Sequence, residues 1–428
     1  MVESTEHTRS YYAATANWST AYPKLEGEVE ADVCIIGGGF TGVAAALNLV
    51  ERGYSVTLLE ARRISWGASG RNGGQLIGSF ADHRKVEKKL GPEAGEIVWR
   101  LGLETTELVR RRIEQFSIDC DLKDGYFDAA LNPKQMDELL EWKEDRESRN
   151  YPYLLEAVNK EDLHTVVGSN LYVGGVIDGA NGHLHPLNLC IGEAKAAAEL
   201  GVKIFEQSPV TGISPGARAS VRTPHGHVRA SHTVLACNAY LGGLAPQLTG
   251  RVLPAGSYII ATEPLSEKTA REILPRDMAI CDQNVVLDYY RLSADRRLLF
   301  GGRCNYSGRH PKSISGTLRP RMLKVFPNLD KVRIDYEWGG NIAITINRIP
   351  QLGRLDTNVY YAMGYSGHGV APTHTAGLIL AEAIAGNAEK LDVFERIKHL
   401  RLPGGRWFAS PALALGMLYY RIRDALQI

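Results

Sequence analysis

The sequence predicts a mixed fold, α/β combined with α+β, in which the chain leaves a parallel α/β domain, builds an antiparallel sheet and then returns to finish the first domain. Three observations predict it. Apolar residues Val33 to Ile36 run straight into Gly37-x-Gly39-x-x-Gly42 ahead of a small-residue helix. Residues 251 to 345 change to long alternating runs such as Ser257-Tyr-Ile-Ile-Ala-Thr262. A short apolar strand then returns at Val359–Met363, and a second glycine-rich turn, Gly364-Tyr-Ser-Gly-His-Gly369, leads into another small-residue helix over 371–385.

The first unit has the order strand, turn, helix, strand, acid. Val33 to Ile36 suit a fully buried parallel strand. Gly37 permits the tight turn, Gly39 lets a pyrophosphate approach the backbone, and Gly42 lets the helix lie against the sheet, with Phe40 and Thr41 between them. The helix start offers unpaired N–H groups to phosphates. Ser55 to Leu59 form the second strand, and Glu60, 18 residues after Gly42, ends it where a carboxylate can accept ribose hydroxyls. The frame is Rossmann-like and predicts a bound dinucleotide.

Farther on, leucine and charge spacing predicts helices over 101–113 and 134–149, the latter a solvated face. Pro186, a favoured first helical residue, opens a helix to Leu200. A strand over 201–205, a hairpin over 219–229 and a strand over 233–236 follow. The expected dinucleotide domain is therefore discontinuous, 1–90 with 150–245 and 340–400. A substrate domain takes 91–149 and 246–339, and 401–428 is a C-terminal helix, apolar over 408–420 and then charged at Arg421, Arg423 and Asp424. Two glycine turns, at 37–42 and 364–369, can converge on one extended cofactor, which suits FAD better than NAD.

Composition excludes several classes. The chain has 428 residues, 44% hydrophobic and 23% charged, with a net charge of +1, which argues against nucleic acid, whose binding demands a basic face. Six cysteines stand without a CxxC pair or a ligand-spaced histidine cluster, which suits buried thiols in a reducing cytoplasm better than a disulfide framework or a zinc site. The first residues contain no apolar core of a secretion signal, and no run of eighteen apolar residues predicts a spanning helix. A cytoplasmic protein is expected, with its oligomeric state open.

Several blocks resemble one family. Gly67-Ala-Ser-Gly-Arg-Asn-Gly-Gly-Gln75 is similar to the second flavin loop of the D-amino-acid-oxidase-type FAD oxidoreductases. Within that group the chain resembles the gamma-glutamylputrescine oxidases more than the glycine or sarcosine oxidases. The resemblance rests also on Ser10-Tyr-Tyr-Ala-Ala14, Gly182-His-Leu-His-Pro-Leu-Asn-Leu189, Asn238-Ala-Tyr-Leu-Gly242, Leu287-Asp-Tyr-Tyr-Arg-Leu292 and Gly364-Tyr-Ser-Gly-His-Gly-Val370. It implies a fold of the D-amino-acid/glycine oxidase type and oxidation of a carbon–nitrogen bond. FAD would be reduced and then reoxidised by oxygen to peroxide.

The resemblance implies FAD contacts at Gly37, Gly39, Phe40, Thr41, Gly42, Glu60, Ala61, Arg62, the loop Gly67, Ala68, Ser69, Arg71, Asn72, Gly73, Gly74, Gln75 and Leu76, and at Val210, Ala236, Cys237 and Gly339. The turn adds Gly364, Gly367, His368, Gly369 and Val370. Val210 is expected to hold the adenine through its backbone. Arg71 and Ser69 are expected to serve phosphate or ring oxygens, and the turn before the second helix to stabilise charge at the flavin N1–C2=O end. His368 either shares that work or caps the helix. Cys237 reads as a buried apolar thiol. No cysteine occurs in 339–350, where sarcosine-type oxidases attach their flavin, so FAD is expected to bind noncovalently.

One position departs from the family. Amino-acid oxidases of this type carry an arginine two residues after a Trp-x-Gly turn, a bidentate clamp for the substrate carboxylate. Here the second residue after Trp338-Gly-Gly340 is Ile342. The departure implies a substrate whose reacting carbon bears an amine and no adjacent carboxylate, unless Arg291 or Arg303 supplies the clamp. Aromatic residues Trp66, Tyr258, Tyr289 and Tyr365 are candidates to box the amine, and Tyr258, Tyr289, Tyr365 and His368 are the candidate catalytic groups. Core packing is the competing reading for Tyr258 and Tyr289. His183 and His185 are expected to orient the helix entry and hold no metal.

The expected activity is oxidative deamination of a gamma-glutamylated polyamine to aldehyde, ammonia and peroxide by hydride transfer to flavin N5. Glycine-, sarcosine- or iminodiacetate-type oxidation, or a quinone-linked dehydrogenase, is the alternative. A noncatalytic dinucleotide sensor is a remote one, since it has no use for the antiparallel section.

Overall fold

A computed structural model describes residues 4–284, 286–305 and 311–401, with the side chains of 303–305 outside the description. The expected C-terminal helix therefore lies outside the described residues. Two sheets carry the chain, one of eight strands and one of nine.

The first sheet runs in the order 351–356, 359–363, 226–235, 27–36, 56–59 and 203–205, with a hairpin arm of 212–214 and 219–222 on its 226–235 strand. The central pairings are parallel, with Ile36 opposite both Leu235 and Leu59. Val33 to Ile36 are buried, as a strand covered on both faces must be. The helix Phe40–Val50 is buried from Phe40 to Asn48 and on to Leu49, so it shows no polar face. It lies against the helix Val370–Ile384, where a Cβ on Gly377 would meet the backbone nitrogen of Ala45 at 2.7 Å. Small residues let these helices approach, because larger ones would push apart the layer that carries both glycine turns.

The second sheet runs 334–344, 253–262, 298–305, 288–292, 279–282, 123–130, 174–183 and 75–76, with 155–159 on 174–183. Its pairings are antiparallel except for 279–282 with 123–130. Residues 155–183, expected with the first domain, instead add two strands to this sheet, and Gln75–Leu76 add one more. The strand Ile334–Ile344 also runs through the expected boundary at 340. Alternation alone could not assign these segments, since a half-buried strand reads the same in either sheet.

Most local expectations hold. Helices cover Pro92–Gln115 and Pro133–Ser148, the second with Leu139 as its buried residue and Asn132 accepting a 3.0 Å bond from the Gln135 N–H. Pro186 opens the helix Pro186–Glu199. One expectation fails: Trp338-Gly-Gly340 is no turn but the middle of a ladder, with Trp338 opposite Ile259 and Gly340 opposite Ser257. Glycine is used there for space, because a Cβ on Gly339 would meet the Tyr258 ring at 2.5 Å.

Candidate active site

A cavity of about 1330 Å³ opens between the two sheets. The first glycine turn supplies one part of its wall. Gly37 has φ +112°, a conformation that favours glycine, and a Cβ there would lie 2.8 Å from the Ala236 carbonyl oxygen. Gly42 does not line the cavity; a Cβ there would overlap the Gly37 carbonyl, so its role is close packing of helix on strand. Gly39, Phe40 and Thr41 do line it. Glu60 closes the unit from the next strand, accepting 2.7 Å and 2.9 Å bonds from the N–H groups of Gly38 and Arg62. Desolvation raises its pKa against those two bonds.

The loop 67–76 stitches the sheets together. Ser69 Oγ accepts a 3.0 Å bond from the Phe40 N–H, which already occupies one donor at the helix start. Asn72 donates to Ala68 and Ser69 carbonyls and accepts from Gly74 N–H at 2.8 Å, so it shapes its own loop. Gln75 Nε2 donates to the Ile280 carbonyl at 3.0 Å. The Trp66 ring lies between two guanidinium groups, with Arg62 at 3.8 Å and Arg71 at 4.1 Å from its centroid. Its indole N–H donates to the carbonyls of Ser4 and Glu6, while Arg71 Nε donates to the Trp66 carbonyl at 2.8 Å. Of this loop, Gly67, Ala68, Ser69, Arg71, Asn72, Gly73 and Gln75 line the cavity, with Trp66, Ala61 and Arg62. Gly74 and Leu76 stand outside it, Gly74 against the Leu184 carbonyl and the Arg291 side chain.

The second glycine turn forms the facing wall. Gly367, His368, Gly369 and Val370 line the cavity, with Gly369 as the residue preceding the helix Val370–Ile384. Gly364, at φ +81°, lies outside it and donates its N–H to Asn238 Oδ1 at 3.0 Å. Tyr365 lines the cavity with its hydroxyl 2.8 Å from Thr41 Oγ1, joining the two glycine turns directly. Burial raises its pKa, so the phenol stays protonated. Desolvation first, then Arg348, lowers the His368 pKa, which leaves that imidazole neutral at pH 7. Val210, Ala236 and Cys237 also line the cavity, with Ala236 and Cys237 beside Gly37. Burial pushes the Cys237 thiol up to about 12, so it is no thiolate at pH 7.

Two expected substrate contacts are corrected. Tyr258 is 3% exposed within the second core and does not line the cavity; the packing reading wins because its ring fills the space left by Gly339. Arg291 is likewise buried. It donates to the carbonyls of Gly73 at 2.7 Å, Leu184 at 2.8 Å and Leu292 at 3.0 Å, and to the Tyr12 hydroxyl, so its donors are spent on the framework. The Arg303 side chain lies outside the described residues. Gly339 is absent from the cavity wall, while Gly340 is on it. Tyr289 does face the cavity, its hydroxyl 3.2 Å from Ser257 Oγ and its ring held where a Cβ on Gly73 would come within 2.6 Å. Ile342 also lines the wall, 3.5 Å from where a Cβ on Gly367 would be.

His185 caps the helix it precedes, accepting from the Asn188 N–H at 3.1 Å, and His183 Nε2 is 2.7 Å from the Asp277 carbonyl. Among the described residues no cluster could hold a metal ion, and no helix is long and apolar enough to cross a membrane. Sequence reasoning missed Tyr240, Ser257 and Arg348 on the wall. Tyr240 packs edge-on to Trp66 at 5.5 Å, and only its presence in the block 238–242 could have signalled it.

The geometry fits FAD. Backbone of Gly39 and the helix start beside Glu60 offer a dinucleotide cradle, and the turn 367–369 offers N–H groups at the opposing helix. Comparison with known proteins agrees. Residues 32–383 match the family model described as FAD dependent oxidoreductase. The chain is 45% identical to gamma-glutamylputrescine oxidoreductase of Escherichia coli K12, over 99% of this chain and 100% of that one. A probable oxidoreductase of Haemophilus influenzae is 43% identical over 98% of each. Glycine oxidase from Bacillus cereus superposes with a TM-score of 0.70 at 20% identity, covering 87% of this chain and all of that one.

Proposed function

Because the chain belongs to the FAD dependent oxidoreductase family, we propose that it oxidises the primary amine of a gamma-glutamylated polyamine, gamma-glutamylputrescine or a close analogue. Amine, oxygen and water become aldehyde, ammonia and hydrogen peroxide. FAD, when bound, accepts the hydride and passes both electrons to oxygen. The observation that carries the substrate class is Ile342. It stands on the cavity wall against Gly367, where an amino-acid oxidase of this type needs a guanidinium for the carboxylate next to the reacting carbon. The full-length similarity to the Escherichia coli enzyme supports the same class.

The chain's own residues orient and desolvate. When FAD is bound, Glu60 and the helix start at Phe40 would hold the dinucleotide part, and Gly367 to Gly369 would serve the ring end. Tyr289 and Ile342 give the amine a wall without ionised acids, which favours the neutral amine that can release a hydride. The Tyr365–Thr41 bond fixes the two glycine turns relative to one another. His368, uncharged at neutral pH, leaves the stabilisation of developing negative charge to backbone N–H groups and the helix dipole. The cysteines on the wall, Cys237 and Cys281, have raised pKa values, which supports noncovalent FAD.

Anaerobic addition of gamma-glutamylputrescine to the purified holoprotein tests the reading. Rapid loss of the flavin band near ~450 nm is expected, since the ring reports its own reduction. Bleaching by sarcosine or glycine instead would move the protein to the amino-acid branch.

A further inference from the structure

Arg348 lines the same cavity and has no role in the reading above. It follows the apolar run 342–346 in a short turn that is closed by its own backbone. Arg348 N–H donates to the Thr345 carbonyl at 3.2 Å, Thr345 Oγ1 donates to the Ile349 carbonyl at 2.9 Å, and Asn347 Oδ1 accepts from the Ile349 N–H at 3.2 Å. Arg348 sits at φ +61°, a conformation that glycine or asparagine adopts at less cost. Its side chain is exposed, and the guanidinium makes no hydrogen bond or ion pair with another described residue. Yet it is near enough to His368 to lower that imidazole's pKa.

The other described arginines on the wall are committed. Arg62 and Arg71 stack on Trp66, and Arg222 donates to Ser214 Oγ at 2.5 Å on the hairpin arm. Glu60 is the acidic residue on the wall, and its oxygens are engaged by Gly38 and Arg62. A cation held at positive φ on the wall of this cavity, with no ion pair to another described residue, works against a substrate that is only cationic. It suits one that carries an anion away from its reacting amine.

We propose that Arg348 binds the glutamyl carboxylate at the far end of the substrate and is the specificity-determining residue for gamma-glutamylated over simple amines. The inference rests on the proposed function. The anchor that amino-acid oxidases place beside the reacting carbon is absent at Ile342. The guanidinium six residues later in the chain serves the same kind of group at a greater distance from the chemistry. A planar fork is the right donor for a carboxylate.

The test compares gamma-glutamylputrescine with N-butanoylputrescine, an amide that lacks both the α-carboxylate and the α-ammonium group, in the holoenzyme and in R348G and R348K. It also includes N-glutarylputrescine, which keeps a carboxylate and lacks only the ammonium and should behave as gamma-glutamylputrescine does. Glycine suits the positive φ, so R348G keeps the turn. The expected result is a preference for gamma-glutamylputrescine, in kcat/KM, that falls roughly ten- to a hundredfold in R348G, as when a charge-assisted hydrogen bond is lost. The change should fall mainly on KM, with partial recovery in R348K and an unaltered flavin midpoint potential. A preference that stays within about twofold of the parent's overturns the inference. So does equal loss with all three amines, or a moved potential, which would make Arg348 a flavin contact. If the parent holoenzyme is not reduced by gamma-glutamylputrescine at all, the proposed function fails first, and that result is separate from any variant.

Discussion

At Gly42 an added methyl would overlap the Gly37 carbonyl, so the helix Phe40–Val50 must shift or the turn must open. Both the cradle and the core beneath it depend on that approach. Gly42→Ala is expected to cost about 1–3 kcal/mol by overpacking and to lower the flavin content of the purified protein. Thermal melting with an absorbance spectrum checks it, and a variant with full flavin and parental melting would sink the packing argument. His185 gives a prediction of another kind. Burial first, then Arg291, depress its pKa to about 3, against an ordinary value near 6.5. Above about 6.5 neither folded nor unfolded chain holds the proton. As pH falls from there towards 3, the unfolded chain takes up a proton that the folded one refuses, and stability drops. His185→Asn keeps a side-chain acceptor for the Asn188 N–H and removes the titration. Its melting temperature should therefore decline less steeply than the parent's between pH 7 and 4. Parallel slopes would show that His185 does not titrate as described.

Between strands, Tyr289 shows how one element shapes the site for another. Its ring fills the space that Gly301 leaves on the neighbouring strand Leu298–Asn305, and it also faces Gly73 of the flavin loop. Gly301→Ala should push the ring into the cavity. A misplacement of about 1 Å near reacting atoms can cost on the order of a hundredfold, so kcat/KM should fall by roughly that much while flavin stays bound. Retained activity with retained flavin would place the reacting carbon elsewhere on the wall. These placements also mark what the sequence could tell. The strand–turn–helix–strand–acid frame at 32–60 was legible because each glycine and Glu60 has a local backbone task. The helix at Pro186 was legible from its proline and the histidine before it. Tyr258 and Arg291 were misjudged because their neighbours decide their roles. Nothing within five residues of Arg291 reveals that the Gly73 and Leu184 carbonyls, far away in the chain, consume its donors. Arg348 was hidden for the same reason, since positive φ and an open cavity are properties of the folded turn.

The whole molecule puts its cavity where the two sheets meet, and its walls come from segments as distant as Gly37 and Val370. The largest core joins the glycine-turn layer to inward-facing residues of the second sheet, among them Ile259 and Leu299. Phe40 and Trp338 meet in that shared core, while Phe300 and Tyr258 belong to a core built by the second sheet. The loop 67–76, bonded to Ile280 on one side and to Phe40 on the other, is one of the covalent routes between them. A ligand filling this space buries surface from both layers at once, so its binding energy is also energy of joining them. FAD added to stripped apoprotein at a hundredfold excess over its Kd should therefore stabilise the fold by about 2.7 kcal/mol. The melting temperature should rise by a few degrees, with one cooperative transition replacing any split one. NAD can share the turn at 37–42 but ends in a single nicotinamide ring where FAD has three fused rings to set against Gly367–Gly369, so it should give a smaller rise at equal concentration. Equal stabilisation by the two dinucleotides would mean that the second glycine turn takes no part in holding the cofactor, and the assignment of the ring end to 367–369 would have to be given up.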